Sequence, residues 1–287
     1  MTKLINIWEA HGRVYDRPIG NPYIDPPAAP KKGKKIKSKI KSLDDFLVLE
    51  NIVCVDADGN EFEQYDHIYV QRKVEKDTAG GILKLTPYAG ISHCEQLPGS
   101  FLPSSALLAN IYVALHKTAV GQLSKKIHDV SKEEAKQMLE EFKDRGDGFG
   151  GQWANTLLNW GTQEIVHYPQ QSDFPTGGRS NINSSLPRRV YPFHHANFKS
   201  TDLLAALSIP NFRCYVQNYT GLSRPEDLLG VAQYFGKTAH VWISTSTVFR
   251  AAWFGWNSSN FNLGGCSNLD YGSAVRGVQR ANASNQG

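Results

Sequence analysis

No run of about 18 or more apolar residues occurs in the 287-residue chain, which excludes an ordinary transmembrane helix. The opening stretch MTKLINIWEAHGR has no basic region followed by an apolar one. A secretory signal is therefore not expected, and synthesis in the cytoplasm is. Only four cysteines are present, Cys54, Cys94, Cys214 and Cys266, with no CxxC pair and none of the density of a disulfide scaffold. They read as scattered buried thiols. The motifs of common chemistries are missing too. Ser244, Ser246, Asp202 and His240 assemble only a nominal triad, because no GxSxG elbow accompanies them. The glycine cluster GDGFGG is followed by no Lys-Ser/Thr, so it is not a P-loop. His194 and His195 are adjacent, so their side chains diverge, and no acid or histidine follows at a zinc-site spacing. The expectation is a protein that is not an enzyme and holds no cofactor or metal.

What is present suits a folded body with one unusual arm. Hydrophobic residues make up 40% and aromatics 11%, enough for a real core in a chain of this length. Residues 1–42 carry ten Lys or Arg against three acids, so the +4 of the whole chain leaves −3 for the remainder. A Pro-rich piece with Pro22, Pro26, Pro27 and Pro30 precedes the block KKGKKIKSKIK, from Lys31 to Lys41. Missing backbone donors and mutual lysine repulsion predict an extended N-terminal arm. An anionic partner, nucleic acid included, fits this arm, and so does a solvated assembly tether. No aromatic residue interrupts the lysines to stack on bases.

From residue 43 onward the pattern is α+β. Two β-rich runs flank Asp58-Gly59-Asn60 and predict a hairpin. Ile82, Leu83 and Leu85 suggest a further short strand. Ser104 opens a helix with Leu107, Leu108, Ile111, Tyr112 and Leu115 on one face. Ser131 and Glu134 form a capping box before Ala135, Met138, Leu139 and Phe142. Residues 152–200 have weak periodicity and predict a long irregular insertion. Asp202 introduces a short helix ended by Ile209-Pro210, FRCYVQNY from Phe212 has strand character, and Ser223 with Glu226 repeats the capping-box spacing before a helix that Gly236 ends. HVWISTSTVF and SAVRGVQR read as strands.

Between them lies a stretch of mixed character. Twelve of the nineteen residues from Gly255 to Ser273 are Gly, Asn or Ser, and Asp270 is the only charge between Ala251 and Val275. Trp253, Phe254, Trp256, Phe261 and Tyr271 lie in or beside it. Gly and Asn favour turns and add little apolar area, whereas aromatics among small polar residues make adaptable contact surfaces. Phe261 and Tyr271 are expected to be exposed; Trp253 fits a core position about as well as a surface one.

FRAAWFGWNSSNFNLGGCSNLDYGSAVRGV resembles the C-terminal variable region of proteins diversified by diversity-generating retroelements. The features that carry the likeness are the Arg-Ala-Ala strand entry at Arg250, the Asn/Ser/Gly-rich middle, and the closing strand Gly272–Val278. The likeness covers about thirty residues. Phage tropism determinants and their bacterial and archaeal relatives share that layout on a C-type lectin fold, with adenines in a template copy randomised so that Asn codons become hotspots. Much of 257–271 falls within the set reachable from Asn codons, though Trp253 and Trp256 do not.

The resemblance implies an α+β C-type lectin fold with mixed strands, two main helices and long irregular insertions. It implies a lectin-like domain over 43–287 with a variable region near 250–278. A hypervariable receptor-recognition protein of viral or phage kind is expected, virion-associated or displayed at a surface. Its partner would be a protein or glycan receptor on another cell or particle, and oligomers are possible. The implied ligand-binding residues are Trp253, Phe254, Trp256, Asn257, Asn260, Phe261, Asn262, Asn268, Asp270 and Tyr271. The alternative is a structural virion or assembly protein with a basic tethering arm. Formylglycine-generating enzymes share the lectin-like fold, but their copper chemistry needs nearby paired cysteines, and Cys266 stands fifty-two residues from Cys214. The Glu-Pro-Asn and Trp-Asn-Asp triplets of calcium-dependent sugar binding are also missing.

Overall fold

The computed structural model describes residues 45–73, 80, 83–95, 100–122, 130–142, 150–168, 189–194, 198–243, 249–266 and 278–280. The expectations for the arm 1–42, and for His195, Ser244, Ser246, Asn268, Asp270 and Tyr271, lie outside these residues.

The predicted hairpin forms. Strands β1 (Phe46–Val55) and β2 (Glu61–Gln71) pair antiparallel. The turn is fixed by Asp56, whose Oδ1 accepts from the backbone N–H groups of Asp58 (3.0 Å) and Asn60 (2.8 Å). Gly59 there takes φ +84°, a left-handed conformation that glycine adopts without steric cost. Of the short strand expected at Ile82, Leu83 and Leu85, Ile82 lies outside the described residues and Leu85 forms an isolated bridge; helix α1 (Pro87–Glu95) and strand β3 (Ser100–Phe101) follow. Strand β11 (Val278–Arg280) slots between β2 and β3, giving a small sheet of order β1-β2-β11-β3.

Helix α2 (Ser105–Ala119) starts as its sequence signal requires. Ser104 Oγ accepts from Leu107 N–H (3.1 Å) and donates to the buried Glu63 carboxylate (2.7 Å). The first eleven residues of α2 are all buried, so the helix is a central spine rather than a surface element. The capping box before α3 (Lys132–Phe142) is also present. Ser131 Oγ accepts from Glu134 N–H (3.1 Å), and the Glu134 carboxylate accepts from Ser131 N–H (2.9 Å). That carboxylate also pairs with Arg72 (2.6 Å), tying α3 to the hairpin.

The main sheet corrects the reading of residues 152–200. Strands β4 (Gly150–Asn159), β5 (Glu164–His167) and β6 (Arg189–Pro192) lie in or overlap that stretch. With β7 (Thr201–Asp202), β8 (Thr238–Val241), β9 (Phe249–Trp256) and β10 (Asn260–Cys266) they form a mixed seven-stranded sheet of order β6-β5-β4-β9-β10-β8-β7. β4 is covered on both faces and carries buried polar residues, so it shows no alternation from which a strand could be read. Thr156 in β4 accepts from Ser105 N–H (2.9 Å) and meets His167 Nδ1 (2.9 Å), while Asn159 Oδ1 takes the turn N–H groups of Gly161 and Thr162 (both 3.1 Å).

Three further helices complete the described fold. Asp202 caps α4 (Leu203–Leu207) as expected, its Oδ1 accepting from Ala205 N–H (2.9 Å). FRCYVQNY is helical, not extended, within α5 (Pro210–Thr220). Phe212, Tyr215, Val216 and Tyr219 fall on one buried face at helical spacing, and Pro210 begins the helix instead of ending the one before. α6 (Asp227–Tyr234) begins without the Ser223 cap that the spacing suggested. The architecture is mixed α+β, with a hairpin sheet and a larger mixed sheet around α2.

Candidate functional site

The C-terminal segment was expected to be an exposed loop; its described part is a β-hairpin in the interior of the main sheet. β9 lies between β4 and β10 and pairs antiparallel with both, and β10 runs parallel to β8. Strand alternation therefore decides the direction of every side chain. Phe254 and Trp256 from β9, Phe261 and Leu263 from β10, and Ala239 and Val241 from β8 are all buried on the face that packs on the helices. Phe254 meets Tyr112 (5.7 Å between ring centroids) and Tyr219 (5.5 Å), Phe261 meets Tyr112 (5.7 Å), and Trp256 meets Phe235 (4.6 Å).

This overturns the exposure expected of Phe261, which is fully buried, and removes Phe254 and Trp256 from any contact surface. The physical reason is that three rings and Leu263 at alternate positions supply more apolar area than the intervening Asn, Ser and Gly subtract. Asn257 has a local task as well. Its Oδ1 accepts from Ser259 N–H (3.0 Å) and Asn260 N–H (2.6 Å), forming the Asx turn that closes the hairpin. Lys237 donates to Ser258 O (2.7 Å) and holds the same turn from outside.

The opposite face carries the other register. Trp253, Asn262 and Gly264 alternate with the buried rings, and Asn260 is half-buried. Gly255 opposes Asn262, and a Cβ added at Gly255 or at Gly151 would fall inside the Trp253 ring. Both glycines are therefore required for that indole to lie flat on the sheet. Part of this face is closed by a second apolar cluster in which Trp153, Leu157 and Ala251 pack with Ile91 and Cys94 of α1, and Trp253 borders it. Trp153 Nε1 donates to Leu85 O (2.9 Å).

Beyond Trp253 the face ends in a cluster absent from the sequence-based site. Trp242, directly after β8, is 52% exposed. Leaving that much indole uncovered forgoes about 2–3 kcal/mol of burial, taking roughly 100 Å² at ~25 cal/mol per Å². The ring is nonetheless held firmly. Its Nε1 donates to Asn262 Oδ1 (2.9 Å), its backbone N–H to Leu263 O (2.8 Å), and His240 sits edge-on at 5.8 Å. Ser200 Oγ accepts from Ile243 N–H (3.0 Å), fixing the chain just past the indole. Asn262, one of the expected ligand-binding residues, is only 3% exposed and serves as the anchor of Trp242. His240 faces Asp202 across β7–β8; burial lowers its pKa, and the Asp202 charge opposes that shift. A tryptophan beside a β-rich run is indistinguishable in sequence from a core residue, so nothing in composition singled out Trp242.

Cys54 and Cys94 are buried and form no disulfide, whereas Cys214 is exposed, contrary to the expectation of buried thiols throughout. Among the described residues no group of three or more His, Cys, Asp or Glu is placed to hold a metal ion. No described helix is long and apolar enough to cross a membrane. Comparison with protein-family models, with curated proteins and with solved structures returns no match.

Proposed function

We propose that the protein is a ligand-binding display protein of the C-type lectin kind. Its β8–β9–β10 sheet would serve as scaffold, and the outward register of that sheet with the residues that follow β10 in sequence as the contact face. The observation that carries this reading is the half-exposed indole of Trp242, rigidly held on the face opposite the helical core. A fixed, uncovered aromatic is the feature around which binding energy concentrates, because little rotamer freedom is lost when a partner covers it. Retroelement diversification of residues 250–278, a receptor on another cell or particle, a virion-associated or surface location and the absence of catalysis belong to the same proposal.

The buried rings restrict where diversification is compatible with folding. Varied positions would be Asn257, Asn260, Asn268, Asp270 and Tyr271, while Phe254, Trp256 and Phe261 would stay apolar because the core needs them. Sequencing the neighbourhood of the gene tests this. The expected result is a near-copy of the codons for 250–278 beside a reverse transcriptase, differing mainly at adenines and sparing codons 254, 256 and 261. Lack of such a copy, or changes concentrated on those three codons, removes the diversification claim. The second reading, a structural virion or assembly protein, draws its support from the burial of the same three rings. It predicts that Trp242→Ala leaves binding to every external receptor unaffected and alters only assembly.

A further inference from the structure

We propose that Trp242, His240, Asp202 and Asn262 form a carbohydrate subsite that stacks a neutral sugar ring on the indole. The inference rests on the binding reading above and names the ligand class for one part of the face. The indole N–H is already committed to Asn262 Oδ1 (2.9 Å), so the exposed part of the ring offers its π surface and edge rather than a donor. Such a surface suits the flat C–H side of a pyranose. Hydroxyl groups around a sugar ring need both donors and acceptors, and the neighbouring residues provide them. Asn262 is 3% exposed and its Oδ1 accepts from the indole, so the group it can offer a ligand beside the ring is its Nδ2 amide donor. His240, edge-on to Trp242 at 5.8 Å, can donate from one ring nitrogen and accept at the other while neutral. Asp202 lies opposite His240 in the β7–β8 pairing and has one carboxylate oxygen beyond the Oδ1 that caps α4.

The charge pattern favours a sugar over a cation. Asp202 is the acidic group on this pair of strands, and its charge is already engaged with the first turn of α4. Among the described residues, one indole with the His240 ring at its edge does not build the enclosure that a quaternary ammonium or alkylated lysine requires. An anionic ligand would meet the Asp202 carboxylate. A neutral polyhydroxylated ring fits all four groups without an unpaired charge.

The experiment uses the full chain, presented to an array of neutral and acidic glycans and to saturation-transfer NMR with methyl glycosides of glucose, galactose, mannose and N-acetylglucosamine at millimolar concentration. The same measurements are made on Trp242→Ala, Trp242→Phe and the exposed control Glu133→Ala on α3, with circular dichroism to check folding. A peptide-display library is screened in parallel. Expected are binding to a subset of neutral glycans, a loss of about tenfold or more in Trp242→Ala, partial retention in Trp242→Phe, and no change in Glu133→Ala, an exposed position on α3. Glycan binding indifferent to Trp242 overturns the subsite and leaves the display reading standing. Peptide binding that needs Trp242, with no glycan bound, overturns the sugar assignment alone. Preference for acidic glycans overturns the neutral-ligand argument. Absence of any binding, glycan or peptide, to well-folded protein removes both this proposal and the display reading.

Discussion

His167 sets how the fold responds to acid. The imidazole is fully buried in β5, with Nε2 on Asn218 O (2.8 Å) and Nδ1 on Thr156 Oγ1 (2.9 Å). The carbonyl can only accept, so Nε2 carries the proton, and the threonine hydroxyl donates to Nδ1 while accepting from Ser105 N–H. The neutral ring is satisfied at both ends, and a second proton on Nδ1 would displace the threonine hydroxyl's hydrogen and leave a charge buried. Desolvation by burial accordingly lowers the pKa from 6.5 to about 4, against the opposing effect of the Asn218 carbonyl. The unfolded chain takes up a proton near 6.5 and the native one only near 4, so the unfolded state binds more protons in between. Stability is full above about pH 6.5, declines through the interval, and loses no more on this account below about pH 4. A gap of ~2.5 units at 1.36 kcal/mol each gives about 3 kcal/mol in all. Urea denaturation from pH 7.5 down to 4 measures it, with His167→Gln as reference. Glutamine keeps an N–H for Asn218 and does not titrate. His116 and His240 are also lowered by burial and act in the same direction, so the difference between the two proteins, not the raw slope, is the quantity of interest. Parallel pH profiles for wild type and variant would refute the argument.

Other perturbations test the packing of the sheet. Gln152 is 1% exposed and neither its Oε1 nor its Nε2 has a partner, so Gln152→Met should stabilise by about 1–3 kcal/mol in urea melts; destabilisation would mean that an internal water or other ligand satisfies the amide. Phe261→Ala should cost about 3–5 kcal/mol, whereas Asn260→Ser one position earlier should stay within roughly 0.5 kcal/mol, both read from thermal or chemical denaturation. Gly255→Ala should cost about 1–3 kcal/mol and change the near-ultraviolet circular dichroism, because the added methyl displaces the Trp253 ring.

Much of the N-terminal half of the described fold was legible in the sequence, because its signals are local. Asp58-Gly59-Asn60 marked the β1–β2 turn, and Ser104 and the Ser131/Glu134 pair marked two helix starts, all of them short-range hydrogen-bond devices. Local signals also misled where one residue serves two elements. Pro210, read as the stop of the helix before it, is the first residue of α5, and FRCYVQNY carries both aromatic richness and the spacing of Phe212, Tyr215, Val216 and Tyr219. The spacing prevailed, since a helix there buries all four against the core. The long stretch after Gly150 was illegible for another reason. Its buried Gln152, Asn155, Thr156 and Asn159 look like loop residues, and what makes Thr156 tolerable inside a strand comes from Ser105, distant in sequence, and from His167 on the neighbouring strand.

The C-terminal segment shows why composition misreads a hairpin. Averaged over a window, residues 253–266 are small, polar and glycine-rich with scattered aromatics. Resolved by strand phase, they are two populations: Phe254, Trp256, Phe261 and Leu263 on one side, and Trp253, Gly255, Asn262 and Gly264 on the other. The glycines belong to this second population because large groups approach there. Gly255 lies under the Trp253 ring, and a Cβ at Gly264 would come within 2.8 Å of Trp242 Cβ. Glycine in these strands thus signals a close-packed aromatic nearby, the reverse of the flexibility that glycine suggests in a loop. Tolerance to change should therefore follow parity along β9 and β10 rather than a contiguous stretch. A surface that varied every residue from 253 to 266 would lose its own scaffold. A binding face on this fold has to alternate, and Trp242, anchored by Asn262 of the strand beside it, is where that alternation reaches solvent.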